Sequence, residues 1–367
     1  MRIAKLDALR GIAACVVLLQ HVMEQVIYRG ALPSWLDHAA AFIFVDIVNW
    51  GRFGVAMFFL ISGFVIPFSF KGERPLADFA ISRFFRLYPA YWVSLLLALL
   101  IIWLTNRPMP GPGAALVNAT MFQTFVRVAD VVPAYWTLAL ELLFYFACAG
   151  LFRWKLLSSG AIVAAAVGVC LAASLALAGL SFASGKHLPA NLPLNIALMF
   201  TGTLVRLAWL NGNDAARRLL PLVLGALIAG TPAVQWAAYF DSAETYVQPL
   251  PFTVAYLLAM AAFLMTLRGH WEFGRFWLWM GAISYSVYLV HGPWLQAMVT
   301  AYGPLDRRNV LPFMFCVIAL ALASASLIYY FVEKPFVRLG HRQMVRISPR
   351  EPKSALPPSS IQPSSIF

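Results

Sequence analysis

Ten apolar runs, each long enough to cross a bilayer, follow one another along this chain. Of its 367 residues, 61% are hydrophobic and only 11% are charged, whereas soluble proteins average about 25% charged residues. The pattern therefore predicts an all-α integral membrane protein, a bundle of about ten transmembrane helices. The predicted spans are Ala8–Tyr28, Arg52–Phe70, Phe79–Leu104, Ala134–Arg153, Leu157–Leu180, Leu192–Leu210, Leu219–Phe240, Gln248–Leu267, Phe276–Ala301 and Leu311–Phe331.

The segments between the spans contain turn-forming residues, for example Lys71–Pro75 and Asn211–Asp214. One further apolar stretch, Ala39–Val48, precedes the second span but is too short to cross the bilayer. We expect this stretch to be re-entrant or to lie at the membrane interface.

The positive charges indicate an orientation. If both termini are cytoplasmic, 20 of the 27 Lys and Arg residues lie inside, as the positive-inside rule requires. The net charge of +12 is explained in this way, and since no basic recognition motif accompanies it, no nucleic-acid partner is predicted. The seven basic residues left outside are Arg29, Arg52, Arg107, Arg127, Lys186, Arg307 and Arg308.

The composition also divides the chain. Residues 1–340 are predicted to form the membrane domain, and residues 341–367, which are rich in Ser and Pro, a disordered cytoplasmic tail. The four cysteines are scattered through apolar runs without paired spacing, so neither a disulfide nor a metal site is predicted.

The first span carries Arg10 and His21, eleven residues apart. On a helix this spacing returns to within about 20° of the same azimuth and covers about 16 Å along the axis. Ionisable groups inside a membrane mark functional sites by default, although a histidine bonded to a neighbouring helix for packing is the alternative. We therefore consider His21 a candidate titratable group near the midplane, with Glu24 one turn beyond it.

Arg83 and Arg86, spaced i, i+3 at the start of the third span, are expected at the same depth as Arg10. Three guanidinium groups together form an anion site suited to phosphates. Ordinary anchoring of each arginine at the cytoplasmic surface is the alternative.

Two other spans carry polar groups at depth. Glu141 lies one turn after Thr137, about 10 Å from the outer end of the fourth span. Ser284, Tyr288 and His291 form a polar stripe at i, i+4 and i+7 in the ninth span. This stripe is explained equally well by interhelical hydrogen bonds and by direct function.

These groups suit the transfer of a group from a phosphorylated cytosolic donor to an acceptor on the outer side, with histidine as the proton acceptor. They suit equally a proton-coupled transporter of sugars or lipid-linked glycans. Residue chemistry alone leaves both open.

Six stretches in order resemble the motifs of the acyltransferase 3 family of bacterial membrane O-acyltransferases. Together they extend over nearly the whole predicted membrane domain, and their combination is far more specific than any single stretch. They are Leu6–Ala14 with Arg10 and His21, Gly54–Phe64, Arg83–Trp92, Tyr135–Glu141, Ile283–His291 and Glu333–Phe336.

The resemblance implies a multi-pass enzyme of the bacterial inner membrane that moves an acyl group, by family frequency acetyl, from cytosolic acyl-CoA to a hydroxyl of a cell-surface glycan or related sugar. Acyl-CoA is then a substrate, and no permanently bound cofactor is expected. The implied catalytic residues are His21 and Glu141, and the implied acyl-CoA-binding residues are Arg10, Arg83 and Arg86. Acceptor contact or structural support is implied for Ser62, Trp136, Tyr288 and His291.

Two points stay open. Many members carry an acid before the Phe-Phe of the second span, where this chain has Ala56 and Met57, so any role of that acid is absent or supplied elsewhere. His21 is expected either to deprotonate the acceptor hydroxyl or to carry the acyl group covalently.

Overall fold

The computed structural model describes residues 4–240 and 248–347, and within them the protein is a bundle of α-helices without β-strands. This confirms the predicted all-α class. The helices are α1 Ala4–Tyr28, α2 Ser34–Ala41, α3 Trp50–Val65, α4 Pro75–Leu104, α5 Pro112–Ala119, α6 Trp136–Arg153, α7 Gly160–Ser184, α8 Asn191–Trp209, α9 Asp214–Tyr239, α10 Pro249–Arg268, α11 Arg275–Tyr302, α12 Val310–Ile328 and α13 Lys334–Ile347.

Nine helical stretches in the described residues are long and apolar enough to cross a membrane, as expected for a multi-pass protein. The predicted ninth span, Phe276–Ala301, also forms one helix, α11, but it is not among these nine. Its polar stripe, together with Pro293 and several Trp and Tyr residues, lowers its mean hydropathy. A helix buried by its neighbours can carry such groups, because they face protein rather than lipid.

Two hydrogen bonds between residues at helix ends identify the two ends of the bundle. Lys5, at the start of α1, donates to the Gly269 carbonyl at the end of α10. At the other end, Arg29, which follows α1, donates to the Gly303 carbonyl at 2.8 Å. We call these the basic end, where α1 begins, and the opposite end, where α1 finishes.

Helices α1 and α11 run parallel and pack together over most of their length. Glycines make this close approach possible: a Cβ on Gly11 would lie 2.8 Å from the Gly281 backbone nitrogen, and one on Gly281 would overlap the Asp7 carbonyl. Small residues at such a crossing let helix backbones come together in membrane proteins. His21 lies ten residues after Gly11, and His291 lies ten residues after Gly281. The two histidines therefore meet further along the same helix pair.

The stretch before the second span is helical. Helix α2 is followed by a π-helix over Phe42–Ile47, and α3 then begins after Asn49, whose side chain accepts the Arg52 amide at 2.8 Å. This side-chain cap satisfies an amide at the helix start and explains why α3 begins two residues before the predicted Arg52.

Helix α13 continues to Ile347, past the predicted start of the tail at residue 341. Phe336 stacks on Phe85 of α4, with ring centroids 6.5 Å apart, and Gly340 lies against the same ring. Composition alone did not reveal this docking on α4. The rest of the predicted disordered segment, residues 348–367, lies outside the described residues.

Candidate functional site

The three predicted arginines meet in one cavity. Arg10 of α1 and Arg83 and Arg86 of α4 line a space of about 130 Å³ inside the bundle, which we call the inner cavity. The i, i+3 spacing of the two α4 arginines places both on the face that meets this space. Its other polar lining residues are Ser62, Thr137, Glu141, Tyr145, Ser284, Tyr285 and Tyr288.

Glu141 lies in the inner cavity with the arginines. Its Oε1 accepts hydrogen bonds from the Ser62 hydroxyl at 3.0 Å and the Tyr145 hydroxyl at 2.8 Å. These two donors fix the carboxylate in position. Glu141 is therefore a neighbour of the predicted anion site rather than of His21, and the single carboxylate in this lining leaves an excess of positive charge.

Arg83 is held by contacts that leave part of its guanidinium free. Its Nη2 donates to the Ser69 hydroxyl at 3.0 Å, and the group lies over the rings of Phe79 and Tyr145 at 5.3 and 5.7 Å. Its Nε is buried and makes no hydrogen bond to the described residues. An unsatisfied buried donor is costly, so an anion in this cavity would gain a ready partner.

The inner cavity adjoins a second one at the basic end. Arg10 and Arg86 line both, and the second, which we call the mouth cavity, adds Arg206, Lys334 and Arg338. The mouth cavity thus has five cations against the carboxylates of Asp7, which lies 3.9 Å from Arg10, and Glu333. Its lining keeps a net positive charge from the basic end into the bundle.

Glu333 also lines the mouth cavity, although no role was predicted for it. It is buried and accepts a hydrogen bond from Ser286 of α11 at 3.1 Å. The sequence could have pointed to Glu333, because it is an acidic residue directly after the last apolar run and a carboxylate at that depth needs partners.

His21 and His291 form a stacked pair, with ring centroids 5.4 Å apart and an interplanar angle of 11°. Both line a third space of about 340 Å³ towards the opposite end, which we call the histidine cavity. The His21 side chain is 40% exposed, whereas His291 is almost fully buried. His21 is therefore the member of the pair that a ligand can reach.

A relay of side chains orients His21. Its Nδ1 lies 2.9 Å from Glu24 Oε2, and the other oxygen of Glu24 accepts from Gln20 at 2.9 Å. Gln20 in turn accepts the Trp50 amide. Because a carboxylate only accepts, Nδ1 carries the proton and Nε2 is the ring nitrogen left as a base.

His291 is orientated by the backbone. Its Nδ1 lies 2.7 Å from the Tyr288 carbonyl, to which it donates. The Nε2 atom of His291 therefore also lacks a proton in the neutral ring.

Tyr288 separates the two cavities. The Tyr288 side chain lines the inner cavity. Its hydroxyl lies 2.9 Å from the Thr137 hydroxyl and donates to the Ala134 carbonyl at 3.2 Å. Ala134 and His291 line the histidine cavity on the other side. We call the hydrogen-bonded group of Tyr288, Thr137 and Ala134 the tyrosine wall.

The structure thus groups the predicted residues in a way that spacing did not show. Ser62, Glu141 and the three arginines share the inner cavity, while His21 and His291 lie beyond the tyrosine wall. Trp136 lines neither cavity; its ring faces the guanidinium of Arg52 at 5.9 Å. Its position is that of a structural support. Gln20 and Tyr145, which hold Glu24 and Glu141, were not predicted, because their partners are set by tertiary packing.

Comparison with known proteins agrees with this architecture. A family model described as an acyltransferase domain matches residues 3–330. Acyltransferase MdmB of Streptomyces mycarofaciens is 26% identical over 398 residues, covering 95% of each chain. Nodulation protein 10 of Rhizobium leguminosarum bv. viciae is 29% identical over 187 residues, which cover 44% of this chain and 48% of the relative. No solved structure matches the chain.

Proposed function

The chain belongs to the acyltransferase 3 family, and we propose that it moves an acyl group from acyl-CoA to a hydroxyl of a cell-surface glycan or related sugar. The transferred acyl group is proposed to be acetyl, and the protein is proposed to lie in the inner membrane of a bacterium. The observation that carries the proposal is the arrangement of two cavities, one lined by arginines and one by an orientated histidine, on either side of the tyrosine wall.

The donor side of the proposal rests on charge. Acyl-CoA carries phosphates at one end and the reactive thioester at the other. Guanidinium groups bind phosphates with strong, charge-assisted hydrogen bonds. Arg10 and Arg86 are shared by the mouth and inner cavities, so the phosphates can bind there while the pantetheine arm extends towards Tyr288.

The acceptor side rests on His21. With Nδ1 bonded to Glu24, Nε2 of the partly exposed His21 side chain takes the proton of the acceptor hydroxyl. The hydroxyl oxygen then attacks the thioester carbonyl, the C–S bond breaks, and the thiolate recovers a proton to leave as CoA. In the alternative route, Nε2 itself attacks the thioester and passes the acyl group on. Both routes use the same atom.

The orientation follows from the donor. Acyl-CoA is a cytosolic compound, so the mouth cavity must open to the cytoplasm, which agrees with the predicted placement of both termini. The histidine cavity then faces the outer side, where a glycan acceptor would enter. The carboxylate of Glu24 would stabilise the imidazolium as it forms.

The test is release of CoA thiol by the purified full chain in detergent, with acetyl-CoA as donor and crude surface glycan as acceptor. His21→Ala should lower acceptor-dependent release by at least about 100-fold, the range for loss of a general base. The exposed His187 provides the matched control, since His187→Ala changes the same residue type away from the cavities. Near-normal release by His21→Ala would contradict the assignment.

A further inference from the structure

A groove at the basic end collects five cationic side chains from three segments that are distant in sequence. Lys71 and Arg74 lie in the connection between α3 and α4. Arg153 ends α6 and Lys155 follows it, and Arg206 lies near the end of α8. No carboxylate is among its described lining residues, and its volume is about 1090 Å³. We call it the basic groove.

Two of these arginines have unused hydrogen-bond donors. The Nε atoms of Arg74 and Arg206 are buried and make no hydrogen bond to any described residue, although Nη2 of Arg74 lies 3.7 Å from Asp78. Buried guanidinium donors without partners are costly, and an anion supplied by a ligand would satisfy them.

The basic groove also offers aromatic surface. Phe68, Phe70 and Phe152 line it, and the last two stack with ring centroids 4.6 Å apart and an interplanar angle of 12°. Phe70 also stacks on Phe79 with centroids 4.2 Å apart, and the Arg206 guanidinium lies 4.1 Å from the centre of the Phe68 ring. The half-buried Phe152, which stacks on Phe70 with one face, is therefore the ring of the three on which a nucleotide base can stack while its phosphates pair with the cations.

The basic groove is connected to the candidate active site through one residue. Arg206 lines both the groove and the mouth cavity, and Arg10 and Arg86 line both the mouth cavity and the inner cavity. Cavities that share these arginines therefore connect the groove with the tyrosine wall, and their linings carry more cations than carboxylates. The ligand that fits them is long and carries phosphates at its outer end.

We infer that the basic groove binds the adenosine 3′-phosphate end of acyl-CoA, while Arg10, Arg83 and Arg86 bind the pyrophosphate and guide the pantetheine arm. This inference rests on the proposed use of acyl-CoA. It assigns recognition of the 3′-phosphate to Lys71, Arg74, Arg153 and Lys155, which the inner cavity does not contain.

The test compares CoA with dephospho-CoA, which lacks only the 3′-phosphate, by calorimetric titration of the purified full chain in neutral detergent. The wild type should bind CoA about tenfold more tightly, the value of one charge-assisted phosphate contact. In Lys71→Ala/Arg153→Ala, two exposed residues, this preference should disappear because CoA affinity falls to that of dephospho-CoA.

Two controls sharpen the comparison. Arg218→Ala/Arg275→Ala removes two exposed cations at the same end outside the groove and should keep the tenfold preference. Arg83→Ala, in the inner cavity, should weaken both nucleotides by the same factor.

The outcomes separate the inference from the proposed function. A groove variant that keeps the full preference for CoA overturns the inference and leaves acyl-CoA as the donor. Failure of the wild type to bind either nucleotide overturns both. If the groove variant instead loses only binding of dihexanoyl phosphatidylglycerol, the groove is a lipid headgroup site, and the inference is overturned in favour of that source of phosphate.

Discussion

At the scale of single residues, Glu24 determines which nitrogen of His21 is available. Its carboxylate lies 2.9 Å from Nδ1 and is itself held by Gln20. A carboxylate in this position holds one tautomer and stabilises the imidazolium during proton transfer. In the proposed mechanism Glu24 orients His21, whose Nε2 acts on the acceptor hydroxyl or on the thioester.

Replacing Glu24 with Gln tests this arrangement. The amide keeps the shape of the side chain but can donate to Nδ1, which favours the wrong tautomer and removes the negative charge. We expect kcat for acceptor-dependent CoA release to fall by about 100-fold. Glu272→Gln, a change of the same kind at an exposed residue, should leave kcat unaltered.

If Glu24→Gln retains full kcat, the orienting role is wrong even if His21 is required. An unchanged folded fraction, measured by gel filtration of the two variants, shows that the comparison concerns chemistry rather than folding.

The sequence predicts some of these residues but not their hydrogen-bond partners. The spacing of Arg10, Arg83 and Arg86 follows from helix geometry, and the three do line one cavity. The neighbour of Glu141 could not be predicted in this way. Its hydrogen bond to Ser62 joins residues 79 apart in sequence, and only the packing of α6 near α3 decides it.

At the scale of helices, the parallel packing of α1 and α11 positions both histidines. The close approach at Gly11 and Gly281 sets the distance between the two helices, and the histidines stack further along the same seam. The motif stretches Leu6–Ala14 with His21 and Ile283–His291 both lie on this seam, the second beginning two residues after Gly281, so they have a structural reason to occur together.

Gly281→Leu is expected to disturb this seam, because its side chain would enter the space of the Asp7 backbone. Overpacking of this kind costs about 1–3 kcal/mol. Thermal unfolding in detergent should show a lower midpoint, and CoA release should fall with the displacement of His21 from His291.

The matched control is Gly168→Leu in α7, where a Cβ would meet no atom within 4 Å. Replacing a glycine inside a helix at an open position should raise stability slightly, by up to about 1 kcal/mol. Equal effects of the two leucines would show that the seam is not the constraint.

Hydropathy and composition do not predict the full extent of α11 and α13. Helix α11 reaches full length although its apolarity is below that of the nine candidate spans, since its polar stripe is buried against α1 and other helices. Helix α13 runs past the predicted domain boundary and packs on α4, where Phe336 and Gly340 lie against Phe85. Both depend on tertiary contacts that the local pattern does not contain.

At the scale of the whole molecule, the cavities form a path with one interruption. The basic groove, mouth cavity and inner cavity share lining residues in succession, and the tyrosine wall lies before the histidine cavity. In the proposed reaction a thioester and a hydroxyl approach this wall from the two ends, and we expect it to open before they react. Alternation of charge predicted the two ends of the bundle, but not this separation.

Tyr288→Phe should weaken the wall by removing the hydroxyl that bonds Thr137 and the Ala134 carbonyl. A hydrogen bond of about 1 kcal/mol corresponds to a factor of about 5 in the open fraction. We expect acceptor-independent hydrolysis of acetyl-CoA to rise by about that factor, because water from the histidine cavity gains access to the thioester.

The control for this change is Tyr302→Phe, at the end of α11, where the hydroxyl lies 3.4 Å from the sulfur of Cys316 and away from the wall. Hydrolysis that is unchanged in Tyr288→Phe, or raised equally in both variants, would contradict a closing role for Tyr288.

We propose that the acyl group passes from a donor at the basic end to an acceptor at the opposite end. The most direct measurement uses sealed proteoliposomes with the full chain in a known orientation. Radiolabelled acetyl-CoA is supplied only at the basic end, and a surface glycan is trapped on the other side. We expect labelled glycan inside and released CoA outside with the wild type, and neither with His21→Ala. Label that appears only on glycan added to the same side as acetyl-CoA would contradict the proposal.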